Sequence, residues 1–235
     1  MIKAVIFDLD NTLYSYDRAH EKAYAALQRF AKAQLGLTPA RFDALHRQAS
    51  GVLSARCQYG LALHNRLLRY QLMLELEGLS IAAAPQMSLL YWNTLLDNMA
   101  PEPGAKQALQ ALREMGLRIG VGTNMTADWQ YAKLERLGFL DLIDFLVTSE
   151  EVNAEKPDAR LFALCAEKAG APLPQCAFVG DSLQKDAVAA QNAGMRGIWY
   201  NFAAAALELP PAVQMIHALD ELPALLRRMN ETEGG

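Results

Sequence analysis

Polar and apolar positions follow two different rhythms along this chain. Ala4 to Phe7 is a short unbroken apolar run with β-branched residues, the pattern of a strand buried on both faces. Residues 18–99 then carry helical spacing only. Ala23, Ala26, Leu27 and Phe30 share one helix face, and Gly36 is placed to end that helix. Thr38-Pro39 supplies an N-cap and a first-turn proline to a second helix bearing Phe42, Leu45 and Ala49. Leu63, Leu67, Tyr70 and Leu74 continue the pattern up to Gly78, and a further helix is predicted from Pro85 to Met99.

The rhythm changes after Pro101-Glu-Pro-Gly104, where helix and strand alternate. A helix to Met115 precedes a strand at Leu117–Gly122, and a helix at Trp129–Leu137 precedes a strand at Phe145–Thr148. The helix Asp158–Ala169 precedes Cys176–Val179, and Lys185–Ala193 precedes Gly197–Tyr200. A weaker strand at Met215–His217 and a last helix at Leu222–Met229 follow, with Asn230–Gly235 expected to fray. Such alternation implies βαβ units and a parallel sheet covered on both faces. The prediction is an α/β fold with a Rossmann-like doubly wound parallel sheet, built from residues 1–13 and 101–235. An all-helical cap, residues 14–100, is inserted after the first strand. The two crossings, near Tyr14–Asp17 and Ala100–Gly104, are expected to act as a hinge that lets the cap open and close.

Composition narrows the partners. An apolar fraction of 52% over 235 residues is ample for a full core. The 22 basic and 26 acidic residues give a net charge of −4 with no Lys/Arg cluster, so neither a nucleic acid polymer nor a membrane surface is expected as a partner. Cys57, Cys165 and Cys176 are scattered, make no metal or disulfide pattern and are expected in the core. No targeting pattern or membrane-length segment stands out, so a cytoplasmic location is expected. Monomer and homodimer both remain open.

The first strand stops at two acids, Asp8 and Asp10. Carboxylates this close at a buried strand end repel unless a cation lies between them, and carboxyl ends of parallel strands are where open α/β sheets bind ligands. A divalent metal and an anionic substrate are one reading; two acids solvating a turn are the other. Three more strand ends carry polar groups. Thr123-Asn124 could hold phosphate oxygens or simply cap a helix. Lys156, restricted by Pro157, could reach over the sheet edge or lie on the surface. Asp181, in Gly180-Asp181-Ser182, would point to the same edge as Asp8, with Asp186 about one helical turn further.

Together Asp8-Leu-Asp10-Asn-Thr12, Thr123-Asn124, Lys156-Pro157 and Gly180-Asp181-Ser182 with Asp186 resemble, in order, the motifs of the haloacid dehalogenase superfamily. The position of the helical insertion resembles its phosphatase branch with a cap after the first motif. The resemblance implies that Asp8 is the nucleophile, forming an aspartyl-phosphate, and that Asp10 is the general acid and then the base. It implies Mg²⁺ held by a carboxylate oxygen of Asp8, the backbone carbonyl of Asp10 and Asp181, with Asp186 orienting a metal-bound water or Lys156. Thr123, Asn124 and Lys156 would bind the phosphoryl group, Lys156 also serving catalysis. Dehalogenases of the superfamily lack an acid at the position of Asp10, so phosphate chemistry is implied.

The implied substrate is a small phosphorylated metabolite, such as a nucleoside monophosphate or a sugar phosphate. A phosphomutase with the same aspartyl chemistry, and a non-catalytic binding protein on the same fold, are the alternatives. Specificity would come from the hinge and cap: Tyr14, Tyr16, Asp17, Arg18 and His20, then Arg56, Tyr59 and His64, then Tyr91, Trp92 and Asn93. Aromatic residues at such spacing also serve simply as packing.

Overall fold

Ala4–Phe7 forms β1, buried along its whole length, and its place is the middle of a six-stranded parallel sheet. The structure, a computed structural model, describes residues 1–57 and 61–232. It divides into two units: Met1–Ser15 with Ala100–Gly235, which contains the sheet, and Tyr16–Met99, which is helical.

The helical unit comprises α1 (Tyr16–Leu35), α2 (Pro39–Arg56), α3 (Leu61–His64), α4 (Arg66–Glu77) and α5 (Ala84–Asp97). Its stops are local. Gly36 has a φ of 69° just after α1, and Thr38 Oγ1 accepts from Arg41 N at 3.2 Å to cap α2 ahead of Pro39. Asn65 Oδ1 caps α4 by accepting from Leu68 N at 3.1 Å. The α1 helix packs on α5, and α2 on α4. The buried face of α4 is Arg66, Tyr70, Met73 and Leu74, while Leu67, expected inside, is 41% exposed. A stripe that starts at Arg66 and recurs at Tyr70 and Met73 satisfies helical periodicity as well as one starting at Leu63. An arginine takes the inner position. Cys57, expected in the core, is only half-buried at the end of α2. Tyr59 lies outside the described residues.

The sheet unit continues with α6 (Ala105–Glu114), β2 (Arg118–Thr123), α7 (Ala127–Leu137), β3 (Phe145–Thr148), α8 (Ser149–Val152) and α9 (Ala159–Ala169). Then come β4 (Cys176–Gly180), α10 (Ala189–Asn192), β5 (Arg196–Tyr200), β6 (Gln214–Ile216) and α11 (Leu222–Thr232). Strand order is β3-β2-β1-β4-β5-β6. Phe7 is in register with Val121 on one side and Val179 on the other. The chain therefore winds outward in both directions from β1, and the switch point falls beside the carboxyl end of that strand. One side of the sheet is closed by α9, with Phe162 meeting Phe178 edge-on at 4.9 Å between centroids. The chain leaving β1 and the chain returning from the helical unit are pinned together: Glu102 N donates to Leu13 O at 2.9 Å, and Tyr14 bridges Pro101.

Two departures from the sequence expectation stand out. Where one helix, Lys185–Ala193, was predicted, a wide π-helical turn over Leu183–Val188 precedes α10. In that turn Asp186 folds back, and its Oδ2 accepts from Ser182 N at 3.0 Å. Residues 230–232, expected to fray, belong instead to α11, which runs to Thr232, and Asn230 Oδ1 accepts from Ile2 N at 2.6 Å. That bond ties the last helix to the start of β1. Residues 233–235 lie outside the described residues.

Candidate active site

Asp8 stands one residue past β1, held there by its backbone N–H donating to Val179 O at 2.8 Å. Its side chain is buried, and Lys156 Nζ lies 2.7 Å from Oδ1. The same ammonium lies 2.7 Å from Asp186 Oδ1. Lys156 is itself buried, so it is no surface lysine. Its place in the loop is set from β2: Asn124 Oδ1 accepts from Lys156 N at 2.8 Å, ahead of a cis Lys156-Pro157 bond. Asn124 thus spends its side-chain oxygen on the backbone of Lys156.

Asp181 follows β4. Its N–H donates to Thr12 Oγ1 at 3.1 Å, and its carbonyl accepts from Trp199 Nε1 at 2.9 Å. Asp186 reaches the cluster because Gly180 has no side chain; a Cβ built there would lie 2.3 Å from Asp186 Oδ2. Among the described residues, Asp8, Asp181 and Asp186 each offer an oxygen, all within 4.8 Å of one another.

Asp10 is only two residues from Asp8 but has different neighbours. Lys133 Nζ, on α7, donates to Oδ1 at 2.7 Å and to Oδ2 at 3.0 Å, and the Tyr14 hydroxyl also donates to Oδ1. Asn11, at a φ of 58°, turns the chain directly after Asp10, a left-handed conformation that asparagine tolerates. Thr123, buried at the end of β2, accepts from Gln130 Nε2 at 2.7 Å through Oγ1. Tyr14, a specificity candidate, donates to Asp10, and Thr12, part of the first motif, accepts from Asp181 N, whereas nothing local singles out Lys133 or Gln130 as chemical. Lys133 sits at an ordinary helical position, and only the packing of α7 brings it to Asp10.

The electrostatics separate the acids. Burial pushes the Asp8 carboxyl up to about 6, against the pull of Lys156 and with Asp186 adding to the rise. Asp181 is pushed up to about 7 by burial and then by Asp8 and Asp186. For Asp10 burial also acts upward, but Lys133 and Tyr14 outweigh it and hold the carboxyl below its ordinary value. Burial opposes the Lys156 ammonium, yet Asp186 and Asp8 raise its pKa and keep it charged. With all four carboxylates ionised, the two ammonium groups leave a surplus of two negative charges. An oxygen-lined cluster with that surplus fits a hard divalent cation, and Asp8, Asp181 and Asp186 are the side chains that could hold it.

The chain has relatives. A family profile described as haloacid dehalogenase-like hydrolase matches residues 2–194. A ribulose-1,5-bisphosphate 5-phosphatase of Halopiger xanaduensis is 33% identical over 86% of this chain and 85% of its own length. A glyceraldehyde 3-phosphate phosphatase of Methanopyrus kandleri is 35% identical over 83% of this chain and 82% of its own. The pyrimidine 5'-nucleotidase YjjG of Escherichia coli is 30% identical over 84% and 85%. Among solved structures, a 2-haloacid dehalogenase from Pseudomonas syringae superposes with a TM-score of 0.78 at 27% identity, covering 97% of this chain and all of that one.

Proposed function

The chain belongs to the haloacid dehalogenase-like hydrolases, and on that footing we propose that it is a phosphatase that hydrolyses a small phosphorylated metabolite through Asp8. The separate housing of Asp8 and Asp10 carries this proposal. Two carboxylates two residues apart, one gripped by Lys156 and one by Lys133 and Tyr14, are suited to two different tasks.

A carboxylate oxygen of Asp8 attacks phosphorus, and the bond from phosphorus to the ester oxygen breaks. Asp10 delivers the proton that the departing oxygen needs. Its carboxyl is ionised at rest, so it takes that proton from solvent once bound substrate adds negative charge beside it, while Lys133 and Tyr14 orient the carboxyl. In the second step the ionised Asp10 takes a proton from water as water attacks the phosphorus, releasing inorganic phosphate and free Asp8. Lys156 offsets negative charge on the phosphoryl oxygens, and Thr123 stands at the neighbouring strand end to bind them. Asn124 acts by positioning Lys156. Mg²⁺ is the proposed cation, held by Asp8, Asp181 and the backbone carbonyl of Asp10 beside Asp186, and when bound it supplies charge that keeps Asp8 ionised and stabilises the phosphoryl oxygens.

The dehalogenase among the solved structures does not redirect this proposal. A departing halide needs no proton, whereas a departing alkoxide does, and Asp10 is present to provide one. The names of two relatives support a sugar phosphate as substrate, and that of a third supports a nucleoside monophosphate. The helical insert, proposed as a substrate-selecting cap, would decide between them.

The test is release of inorganic phosphate from a panel of sugar phosphates, nucleoside monophosphates and an aryl phosphate, with Mg²⁺ and with a chelator. Cation-dependent release that vanishes in Asp8→Asn is expected. Release that survives in Asp8→Asn would end the proposal.

A further inference from the structure

The helical unit contains a buried cationic cluster that neither the fold nor the proposed chemistry uses. Arg66, at the start of α4, is 9% exposed. Its Nη2 donates to the Tyr16 hydroxyl at 3.0 Å and to the Tyr91 hydroxyl at 3.4 Å. The guanidinium carbon lies 5.0 Å from the centroid of the Tyr91 ring and 5.8 Å from that of Trp92. Its Nε is buried without a hydrogen-bond partner. Arg69, about one turn further along the same helix, repeats the pattern: Nη2 donates to Leu63 O at 2.5 Å, and Nε is again buried without a partner.

Among the described residues neither arginine forms an ion pair. His20 and His46 lie close enough to the same arginines to feel their charge. Burial and then Arg66 lower the His20 pKa, with Asp17 acting the other way; burial and then Arg69 and Arg66 lower that of His46, with Asp43 acting the other way. Asp43 is already engaged by the Tyr24 hydroxyl at 2.8 Å and by Gln28 at 2.7 Å. Buried charges are normally paired, and an unpaired guanidinium N–H in such a place forgoes hydrogen-bond energy that an acceptor would restore. Aromatic faces soften the cost but accept no N–H in the ring plane. A guanidinium is a planar fork suited to two oxygens of one anion. Tyr16, His20 and Arg69 are half-buried, so the cluster keeps access to solvent.

We propose that the helical unit carries an anion-binding site centred on Arg66, with Arg69 supporting it and the Tyr16 and Tyr91 hydroxyls orienting the fork. The ligand is a small oxyanion, a carboxylate or a phosphate. It binds as a free anion.

The experiment follows the Arg66 Nε–H signal in a nitrogen–proton correlation spectrum of the full chain. The signal is assigned by its loss in Arg66→Lys, or through bonds from its own backbone should that variant not fold. The probes are inorganic phosphate, malonate, glycerol 3-phosphate and 3-phosphoglycerate, the last two differing in a carboxylate, with Asp8→Asn used to prevent turnover. A saturable shift of the Arg66 signal is expected. If 3-phosphoglycerate and malonate produce it at concentrations about tenfold below glycerol 3-phosphate, the occupant is a carboxylate. If inorganic phosphate and glycerol 3-phosphate match 3-phosphoglycerate, the occupant is a phosphate. An Arg66 signal unmoved by all four probes would overturn the proposal and leave Arg66 as a packing cation. Because the titration reads binding without turnover, its failure is separable from failure of the phosphatase proposal, which is judged by phosphate release.

Discussion

Lys133 and Asp10 form an ion pair across 123 residues of sequence, with Nζ 2.7 Å from Oδ1 and 3.0 Å from Oδ2. The lysine is 1% exposed, so the pair is the reason a charged side chain is tolerated on the inner side of α7. It also holds the Asp10 carboxyl below its ordinary value.

Replacing Lys133 by methionine keeps the volume and removes the charge. The expected result is a fall in kcat of about a hundredfold or more, the scale of lost general acid–base catalysis, with a smaller change in KM. Lys133→Met and Asp10→Asn should be non-additive in a double-mutant cycle, because each disables the same carboxylate. Full kcat in Lys133→Met would mean that the pair is purely structural.

Gly180→Ala puts a methyl group where Asp186 stands: the built Cβ is 2.3 Å from Oδ2 and 2.5 Å from the Cβ of Asp186. The whole side chain must move, taking with it the partner that anchors Lys156. A loss of about 1–3 kcal/mol in stability is expected, together with most of the activity. Chemical denaturation and phosphate release measure the two effects. Gly197→Ala, whose Cβ would meet the backbone carbonyl oxygen of Ala187 at 2.0 Å, should cost more stability, since backbone cannot swing aside.

Cation affinity should fall in acid. Without a cation Asp8 titrates near 6 and Asp181 near 7, both raised mainly by burial, so a bound cation must displace protons below neutrality. Calorimetry of Mg²⁺ binding at pH 8 and pH 6 should give an affinity lower by about tenfold or more at the lower pH, with proton release on binding. An affinity that does not change with pH would contradict the raised carboxyl values.

His46 gives the helical unit an acid-sensitive term. Burial, then Arg69 and Arg66, depress its pKa to about 4, below the 6.5 of the free side chain. Between those values the unfolded chain binds the proton more readily, so the stabilising contribution of neutral His46 is full above 6.5 and is lost as pH falls toward 4. At pH 5 the loss is about 2 kcal/mol. Asp8 and Asp181 act oppositely, since protonation relieves their buried charge, so the effect must be read as the difference between wild type and His46→Gln. The variant should lose less stability between pH 7 and pH 5; equal losses would dismiss the term.

Much of the fold was legible because its signals are local. Buried parallel strands read as apolar runs, so Ala4–Phe7 and Phe145–Thr148 are the same in sequence and structure. Thr38-Pro39 and Gly36 mark helix ends by their own backbone chemistry. The face of α4 was not legible, because Arg66 can be assigned to the inside only once Tyr16, Tyr91 and Trp92 are known to surround it. The π-helical turn was hidden for a similar reason: the side chain folded back in it, Asp186, answers to Lys156 and Ser182 rather than to helical spacing.

Which strands end in acids, and in what order those ends occur, is legible along the chain, because apolar runs and polar punctuation act over a few residues. Only the tertiary structure decided the company each acid keeps. Asp8 shares Lys156 with Asp186, whereas Asp10 faces Lys133 and Tyr14, and this sets one carboxyl above its ordinary value and the other below. The physical reason is that burial and charge at a site depend on distances of a few ångströms between groups on β1, α7 and the loop before α9. Those distances exist only after the sheet has assembled.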